Sequence, residues 1–489
     1  MNIRSAMTKV ASRSVLAVTG CAVFTAPSLA GTLGSAETNQ AIFDTQAADA
    51  YSLAVRATVW GYPLIRAAQL REKATQPDAP FAPRAITVAT APINRLGHAQ
   101  QLADPQTRIG VAPNNDTLYS LAFLDTQQGP FLLETPEFGQ RYYTFQFGEA
   151  DSSTLQSYGQ STHGHKMPAI FVTSPNYKGP TPKGALVVRS TQRFLMIAGR
   201  ILVDGASDLP AVHGLQKQVV LHRWLGPSRL APTTVTAQPR LSSLATQPEK
   251  TQDLLTNLGV ILKDWHPTPS DAKLIASFRT IGLTPKNGYN PSLLSAEQRQ
   301  AIDEGVKDGL AVIAAKTQNF GAKANGWSTS LTGSRFGTDY LLRAAVAMDQ
   351  IFVVDKQEAL YPVAHADGTG ALLDGKKLYT LCFAKDDLPP VNAFWSITMY
   401  HAKGLLVDNA IKRYSIGDRT PGLRYGNDGS LQITIQHDDP GTTRTANWLP
   451  APEGGFMLMM RLYRPKASAT SGQWHPPAVT PITAGACKG

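Results

Sequence analysis

Cysteine is scarce, with only Cys21, Cys382 and Cys487 in 489 residues. Three cysteines are not a disulfide framework. No HExxH, G-x-S-x-G, Walker, CxxC or Rossmann pattern occurs, which removes the commonest hydrolase and nucleotide-dependent machines. No apolar run reaches the ~18 residues that span a bilayer, so no transmembrane segment is expected. Charge is also thin, at 17% Asp, Glu, Lys and Arg, and the net value is +10. The basic residues form no block interleaved with aromatics, so a nucleic-acid partner is not expected. What remains is a folded chain, 43% hydrophobic, and its length exceeds one ordinary core. Forty glycines and 34 prolines point to many turns and short strands, hence to a mostly β architecture.

Residues 1–30 read as a secretory leader. Arg4, Lys9 and Arg13 precede a short apolar stretch, Val15 to Ala26, and Ser28-Leu29-Ala30 offers small residues at a cleavage site. There is no twin-arginine pair. Cleavage after Ala30 would release a periplasmic or secreted protein of net charge +7, since three basic residues leave with the leader. Val18-Thr19-Gly20-Cys21 also resembles a lipoprotein box, which keeps lipidation at Cys21 as an alternative. Cys382, inside the apolar run Leu378–Phe383, reads as a buried structural thiol, although export would permit a bond to Cys487.

Periodicity divides the chain. Ala50, Leu53, Ala54, Ala57, Trp60 and Leu64 fall at helical spacing within 47–73, with Gly61 and Pro63 expected to kink or split the helix. Strand-length runs follow at 118–124, 142–147, 169–172, 185–188 and 194–197, then a helix at 211–221. Residues 226–250, rich in Pro, Thr and Ser, read as a linker. Ser295-Ala296-Glu297-Gln298 has the form of a capping box, and an apolar face continues to Lys316. A second helix is expected over 339–349, and strands at 378–383, 393–400, 431–436 and 456–463. The organisation is thus a leader (1–30), an N-terminal α+β domain (31–225), a linker and helical segment (226–350), a C-terminal β-domain (351–470) and a tail (471–489).

Several polar-aromatic segments stand out: Pro113-Asn114-Asn115-Asp116-Thr117-Leu118-Tyr119, Gly139-Gln140-Arg141-Tyr142-Tyr143, and Gly199-Arg200 through Asp204 to Asp208. Asn392 to Tyr400, Arg413 to Arg419, Asn447-Trp448-Leu449-Pro450 and Arg461-Leu462-Tyr463 follow. In this order they resemble the paired bacterial domains of unknown function 1254 (N-terminal) and 1214 (C-terminal), over roughly residues 45–220 and 330–465. The resemblance implies export for many members and a C-terminal jelly-roll β-sandwich, broadly like those of peptide N-glycanases and copper monooxygenases. It implies no reaction. Two departures occur, since Phe145-Gln146-Phe147 and Phe194-Leu195-Met196-Ile197 stand where family members often carry a Trp.

Asp116 is the first candidate for chemistry. A carboxylate where a loop meets a strand, beside Asn114 and near Tyr119, suits a general base, a metal ligand or an Asx turn. His98 resembles a family histidine upstream of the Asn-Asp-Thr motif and could bind a metal or move a proton. With Asp116 it would lack one further ligand for a divalent ion. Arg200 could hold an anion, or pair with Asp204 or Asp208. Tyr119 would donate a proton. Arg413 and Arg461 read as braces of the C-terminal sandwich. Asn114, Tyr142, Trp395, Tyr400 and Trp448 could contact a small-molecule or glycan ligand, the aromatics by stacking or else by simple packing. His163 and His165 could share a metal if they lie on a strand. His437-Asp438-Asp439 reads as a solvated turn, and His213 as a packed helix residue.

Three functions therefore stay open. One is a hydrolase-like, metal-assisted enzyme using Asp116 and His98. Another is an envelope protein that binds a glycan or other ligand. The third is a metal-dependent oxidoreductase, suggested by fold likeness alone. Oligomeric state is left open.

Overall fold

The computed structural model of the chain describes residues 35–75, 87–107, 112–227, 229–231, 251–319 and 321–482. The expected leader, Cys21, Cys487 and most of the expected linker lie outside these residues. Chain contacts separate Met1–Gln46 from a large compact unit, Ala47–Gly489. The class is mixed α+β, as expected.

Two β-sandwiches form the large unit. The first has one five-stranded sheet in the order 97–98, 117–125, 194–202, 143–149, 154–159, and another in the order 229–231, 220–226, 131–134, 170–173, 186–189. Leu118, Leu124, Phe131, Phe145, Phe147, Ile170, Leu195 and Ile197 fill the space between them. The second sandwich sets a seven-stranded sheet, centred on Val391–His401 and Phe456–Pro465, against a four-stranded sheet containing Tyr379–Phe383 and Leu431–Gln436. Trp395, Ile397, Leu458, Met460 and Leu462 meet Leu381, Ile433 and Ile435 in its core.

Helices support this pair. Ser35–Thr75 is one helix through Pro63, so the split that was one of the two outcomes expected there does not occur. Tertiary packing outweighs the lost backbone bond, because Trp60 and Leu64 are wholly buried against Leu254, Leu255 and Leu258. Gly61 permits that approach, since a Cβ there would lie 2.5 Å from a Leu258 methyl. The helix Ala296–Thr317 starts with the expected capping box, Gln298 N–H donating to Ser295 Oγ at 3.2 Å and Ser295 N–H to Gln298 Oε1 at 3.0 Å. The expected helix over 211–221 is shorter, Leu209–Gln216, and the chain turns into the strand Val220–Gly226. Gln216 ends it by donating from its buried amide to Ala99 O (3.1 Å) and Tyr119 O (3.3 Å), which ties it to the first sheet. Cys382 is not the free thiol read from sequence, because it is engaged in a disulfide.

The decisive feature is how the sandwiches meet. Strand Phe194–Leu202 turns Leu195, Ile197 and Ile201 into its own core, and Met196, Ala198 and Arg200 to the other side. Strand Phe456–Pro465 does likewise, with Leu458, Met460 and Leu462 inward and Met457, Met459, Arg461 and Tyr463 outward. These second faces are themselves buried, and a polar layer lies between the sandwiches.

Candidate functional site

Antiparallel register sets Tyr119 directly opposite Arg200, and Leu121 opposite Ala198. On one face of the sheet these four residues, with Met196, line a cavity of about 200 Å³. Arg461, Met459 and Tyr361 close it from the second sandwich, Leu70 from the long helix, and 350–353 from the segment after helix Tyr340–Asp349. Most of this lining is apolar. Its polar groups are concentrated in Asn114, Tyr119, Arg200, Tyr361, Arg461 and Gln350.

The two arginines dominate the electrostatics. Arg200 is 7% exposed and Arg461 2%. Arg200 donates from Nε to the Tyr119 hydroxyl (3.1 Å) and from Nη1 to Gln146 Oε1 (2.9 Å). Arg461 donates from Nη1 to Thr398 Oγ1 (2.7 Å), and from Nη2 to Ala112 O and the Tyr400 hydroxyl (2.8 Å each). Every acceptor is neutral. Neither arginine forms an ion pair with a carboxylate among the described residues, and Asp116 and Glu358 reach them only through longer-range charge. A guanidinium has five N–H donors, so both retain donors beyond these contacts. Burial pushes both guanidiniums toward neutrality, but the surrounding tyrosines outweigh it and hold them protonated.

Tyr119 feels the charge of both. Burial alone would raise its phenol, yet the charge and hydrogen bond of Arg200, helped by Arg461 and Asn114, hold it below the ordinary tyrosine value. Tyr361 goes the other way, pushed up to about 12 by burial despite Arg200. The amide nitrogen of Gln350 is buried without a hydrogen-bond partner among the described residues. Three lining residues hold strained backbones: Ala112 (φ 46°), Ile351 (φ 44°) and Phe352 (φ 49°). For a β-branched residue such as Ile351 this region costs on the order of 1–3 kcal/mol. Bonds from Gln146 Nε2 to Phe352 O and Val353 O (2.9 and 3.1 Å), and from Phe352 N–H to Ser152 Oγ (3.0 Å), hold it there.

The residues singled out from sequence divide between this cavity and the packing around it. Asn114, Tyr119 and Arg200 line it. Asp116 does not. It is 3% exposed and clamps the sandwiches together, accepting from Ser396 Oγ (2.6 Å), Arg419 Nη2 (3.2 Å) and, at a longer 3.4 Å, the Tyr463 hydroxyl. His98 bonds Ser120 Oγ through Nδ1 (2.8 Å), and burial lowers its pKa. The described residues bring together no group of three or more His, Cys, Asp or Glu able to hold a metal. Arg200 takes neither Asp204 nor Asp208: Asp208 pairs with Arg141, and Asp204 lies 3.9 Å from Arg419.

The aromatic candidates form no exposed groove. Trp395 packs on Phe383 within the second core, and Trp448 donates to Gln436 O (2.9 Å) from a buried position. Tyr400 is fully buried and donates to Pro113 O (2.8 Å). Tyr142 donates to Glu358 Oε1 (2.8 Å) and packs edge-on against Phe394 and Tyr463. His163 ends the short helix Gln160–His163 and His165 lies in the turn after it, so neither is on a strand. His213 bonds Gln100 O at 2.8 Å, and His437 bonds Ala451 O at 3.0 Å. Arg413 braces the sandwich as expected, through Thr445 O, Ala446 O and Trp448 O. Arg461 also braces it, through Thr398 Oγ1 and the Tyr400 hydroxyl on the neighbouring strand, and in addition faces the cavity. Its signal was present: a lone charge at an alternate position of the otherwise uncharged run Phe456-Met457-Leu458-Met459-Met460.

A family profile described as "Protein of unknown function (DUF1254)" matches residues 93–223, and one described as "Protein of unknown function (DUF1214)" matches residues 358–467. The cavity draws on both regions. No curated protein matches the chain. Among solved structures, the VPA0106 protein from Vibrio parahaemolyticus aligns over 89% of this chain and 100% of its own, at 21% identity and TM-score 0.63, which shows a shared fold. A putative uncharacterized protein from Burkholderia cenocepacia aligns over 91% and 96% respectively, at 14% identity and TM-score 0.41.

Proposed function

For a chain that belongs to the paired DUF1254–DUF1214 family, we propose binding of a small amphipathic organic anion, such as an aromatic or short aliphatic carboxylate, in the cavity between the two sandwiches. One observation carries this reading: two buried guanidiniums, without carboxylate partners among the described residues, converge on an otherwise largely apolar cavity. A buried charge left unpaired costs several kcal/mol. A carboxylate supplies the missing charge and accepts the remaining N–H donors in the geometry a guanidinium favours. Cavities of roughly 150 Å³ accept benzene, so about 200 Å³ suits a ring or short chain bearing one carboxylate. Gln350 adds a donor for a second acceptor on the ligand.

This reading favours a ligand-binding role over the metal-assisted hydrolase built on His98 and Asp116, because the Asp116 carboxylate is occupied by Arg419 and Ser396. It also favours a compact organic ligand over a glycan, because the aromatics suited to sugar stacking are buried in packing. Export is part of the proposal. The leader pattern supports it, as does the disulfide at Cys382, since thiols of the cytosol are kept reduced.

Thermal unfolding of the chain from Gly31 onward, with benzoate, phenylacetate or hexanoate against the matching uncharged amides, tests the reading. Acids should raise the midpoint and amides should not, and Arg461→Gln should abolish the difference. Equal effects of acids and amides would overturn it.

A further inference from the structure

Resting on that anion site, a second inference concerns where its counter-charge lies in the ligand-free protein. Five phenols surround the two guanidiniums: Tyr119, Tyr142, Tyr361, Tyr400 and Tyr463. Their protons are not equivalent. Tyr400 receives a bond from Arg461 but donates its own proton to Pro113 O at 2.8 Å. Tyr463 donates toward the Asp116 carboxylate, whose charge opposes ionisation, and its phenol is pushed up by burial and by Asp116. Tyr361 is likewise pushed up by burial. Tyr142 donates its proton to Glu358 Oε1 at 2.8 Å and is pushed up by burial and by Glu358. Tyr119 differs from the other four. Its oxygen accepts from Arg200 Nε, and its own proton has no acceptor among the described residues. Losing that proton sacrifices no hydrogen bond and turns a neutral acceptor into a charged one, which roughly doubles the strength of the bond from Arg200.

We propose that anion binding in this cavity is coupled to proton uptake by Tyr119, whose phenolate serves as the counter-ion of Arg200 and Arg461 until a ligand carboxylate replaces it. The exchange balances: the Tyr119 phenolate, one proton from solvent and the ligand carboxylate give neutral Tyr119 with the carboxylate held by the guanidiniums. No covalent bond to the ligand forms or breaks. The groups facing Tyr119 agree with this. Arg200 across the strand pair and Arg461 from the second sandwich favour the phenolate, while Tyr361 and Tyr463 stay neutral beside it. Asp116 and Glu358 reach the cluster only through longer-range charge. The lowered value of the Tyr119 phenol follows from the same surroundings.

The sign is fixed by the exchange. Below the Tyr119 titration the phenol is neutral and the carboxylate binds without competition. Above it the phenolate must first take up a proton, so the Kd should rise by about tenfold per pH unit.

Two readouts test this on the chain from Gly31 onward, with benzoate as the probe. In the first, without ligand, near-ultraviolet absorbance is titrated for wild type and Tyr119→Phe. The difference should contain one phenolate that forms below the ordinary tyrosine value of about 10, and benzoate should remove it at fixed pH. The second is the pH dependence of the benzoate Kd, which should be steep in wild type and flat in Tyr119→Phe. Absence of the early phenolate would overturn the inference whether or not benzoate binds. Benzoate binding with a flat Kd in wild type would overturn the coupling and leave the anion site standing. Failure to bind benzoate at any pH would overturn both.

Discussion

Replacing Glu149 by Gln removes a carboxyl that the fold has buried against apolar neighbours. Glu149 is 5% exposed, on the inner strand Tyr143–Glu149, beside a second cavity of about 50 Å³ lined by Leu64, Phe123 and Phe194. Burial pushes its carboxyl from the ordinary 4.5 up to about 8, against the opposing Thr191 N–H, which donates at 2.8 Å. Because the folded value lies above the unfolded one, its contribution to stability is fully present below about pH 4.5. It is lost as the pH rises through about 8. At 1.36 kcal/mol per pH unit the whole loss approaches roughly 5 kcal/mol, an upper limit because the buried site can relax or admit water. Gln keeps an oxygen for Thr191 N–H and never ionises. Urea unfolding of both proteins at about pH 5 and about pH 8.5 should therefore show a gap that widens in favour of Glu149→Gln on the alkaline side, by several kcal/mol. Other titrating groups cancel in the difference. A gap of the same size at both pH values would refute the reasoning.

At a pH below the Tyr119 titration, Arg200→Met should leave the ligand-free protein as stable as wild type or more so, by about 1–4 kcal/mol in chemical denaturation, because it deletes a buried charge that lacks a carboxylate partner among the described residues. Loss of more than about 3 kcal/mol would mark Arg200 as a structural residue instead. Asp116→Ala should have the opposite effect and destabilise by about 2–3 kcal/mol, since Ser396 loses its acceptor and Arg419 its carboxylate. That figure sits low in the range for broken buried pairs because the Arg419 side chain keeps 25% exposure. Ser295→Ala should cost about 1 kcal/mol through loss of the capping box and leave ligand binding untouched, as calorimetry on the same sample would show.

Local signals carried much of the fold. Ser295 with Gln298 marked a helix start to the residue, and the strands at 117–125, 391–401 and 456–465 follow β-rich runs visible in the sequence. At Pro63 and after Gln216, local propensity was overruled by contacts with residues distant in the chain, Leu258 in one case and Ala99 with Tyr119 in the other. The site was half legible. Asn114, Tyr119 and Arg200 stood out within polar-aromatic segments, and the first sandwich places all three at the cavity. The cavity-facing side of Arg461 and the packing role of Asp116 were missed for a single reason. Alternation within a strand separates its two faces but does not say which face meets the other sandwich, and here both are buried. The same ambiguity made Trp395, Tyr400 and Trp448 candidates for ligand stacking when they are packing residues.

Isothermal titration of benzoate into the chain from Gly31 onward, near neutral pH, with benzamide as the uncharged control and Arg200→Met and Arg461→Gln as variants, addresses the central claim most directly. The account predicts one site per chain for benzoate, none for benzamide, and loss of at least about tenfold in affinity, on the order of 1.4 kcal/mol, in each folded variant. Benzoate affinity unchanged in both variants, or benzamide bound as tightly as benzoate, would contradict it.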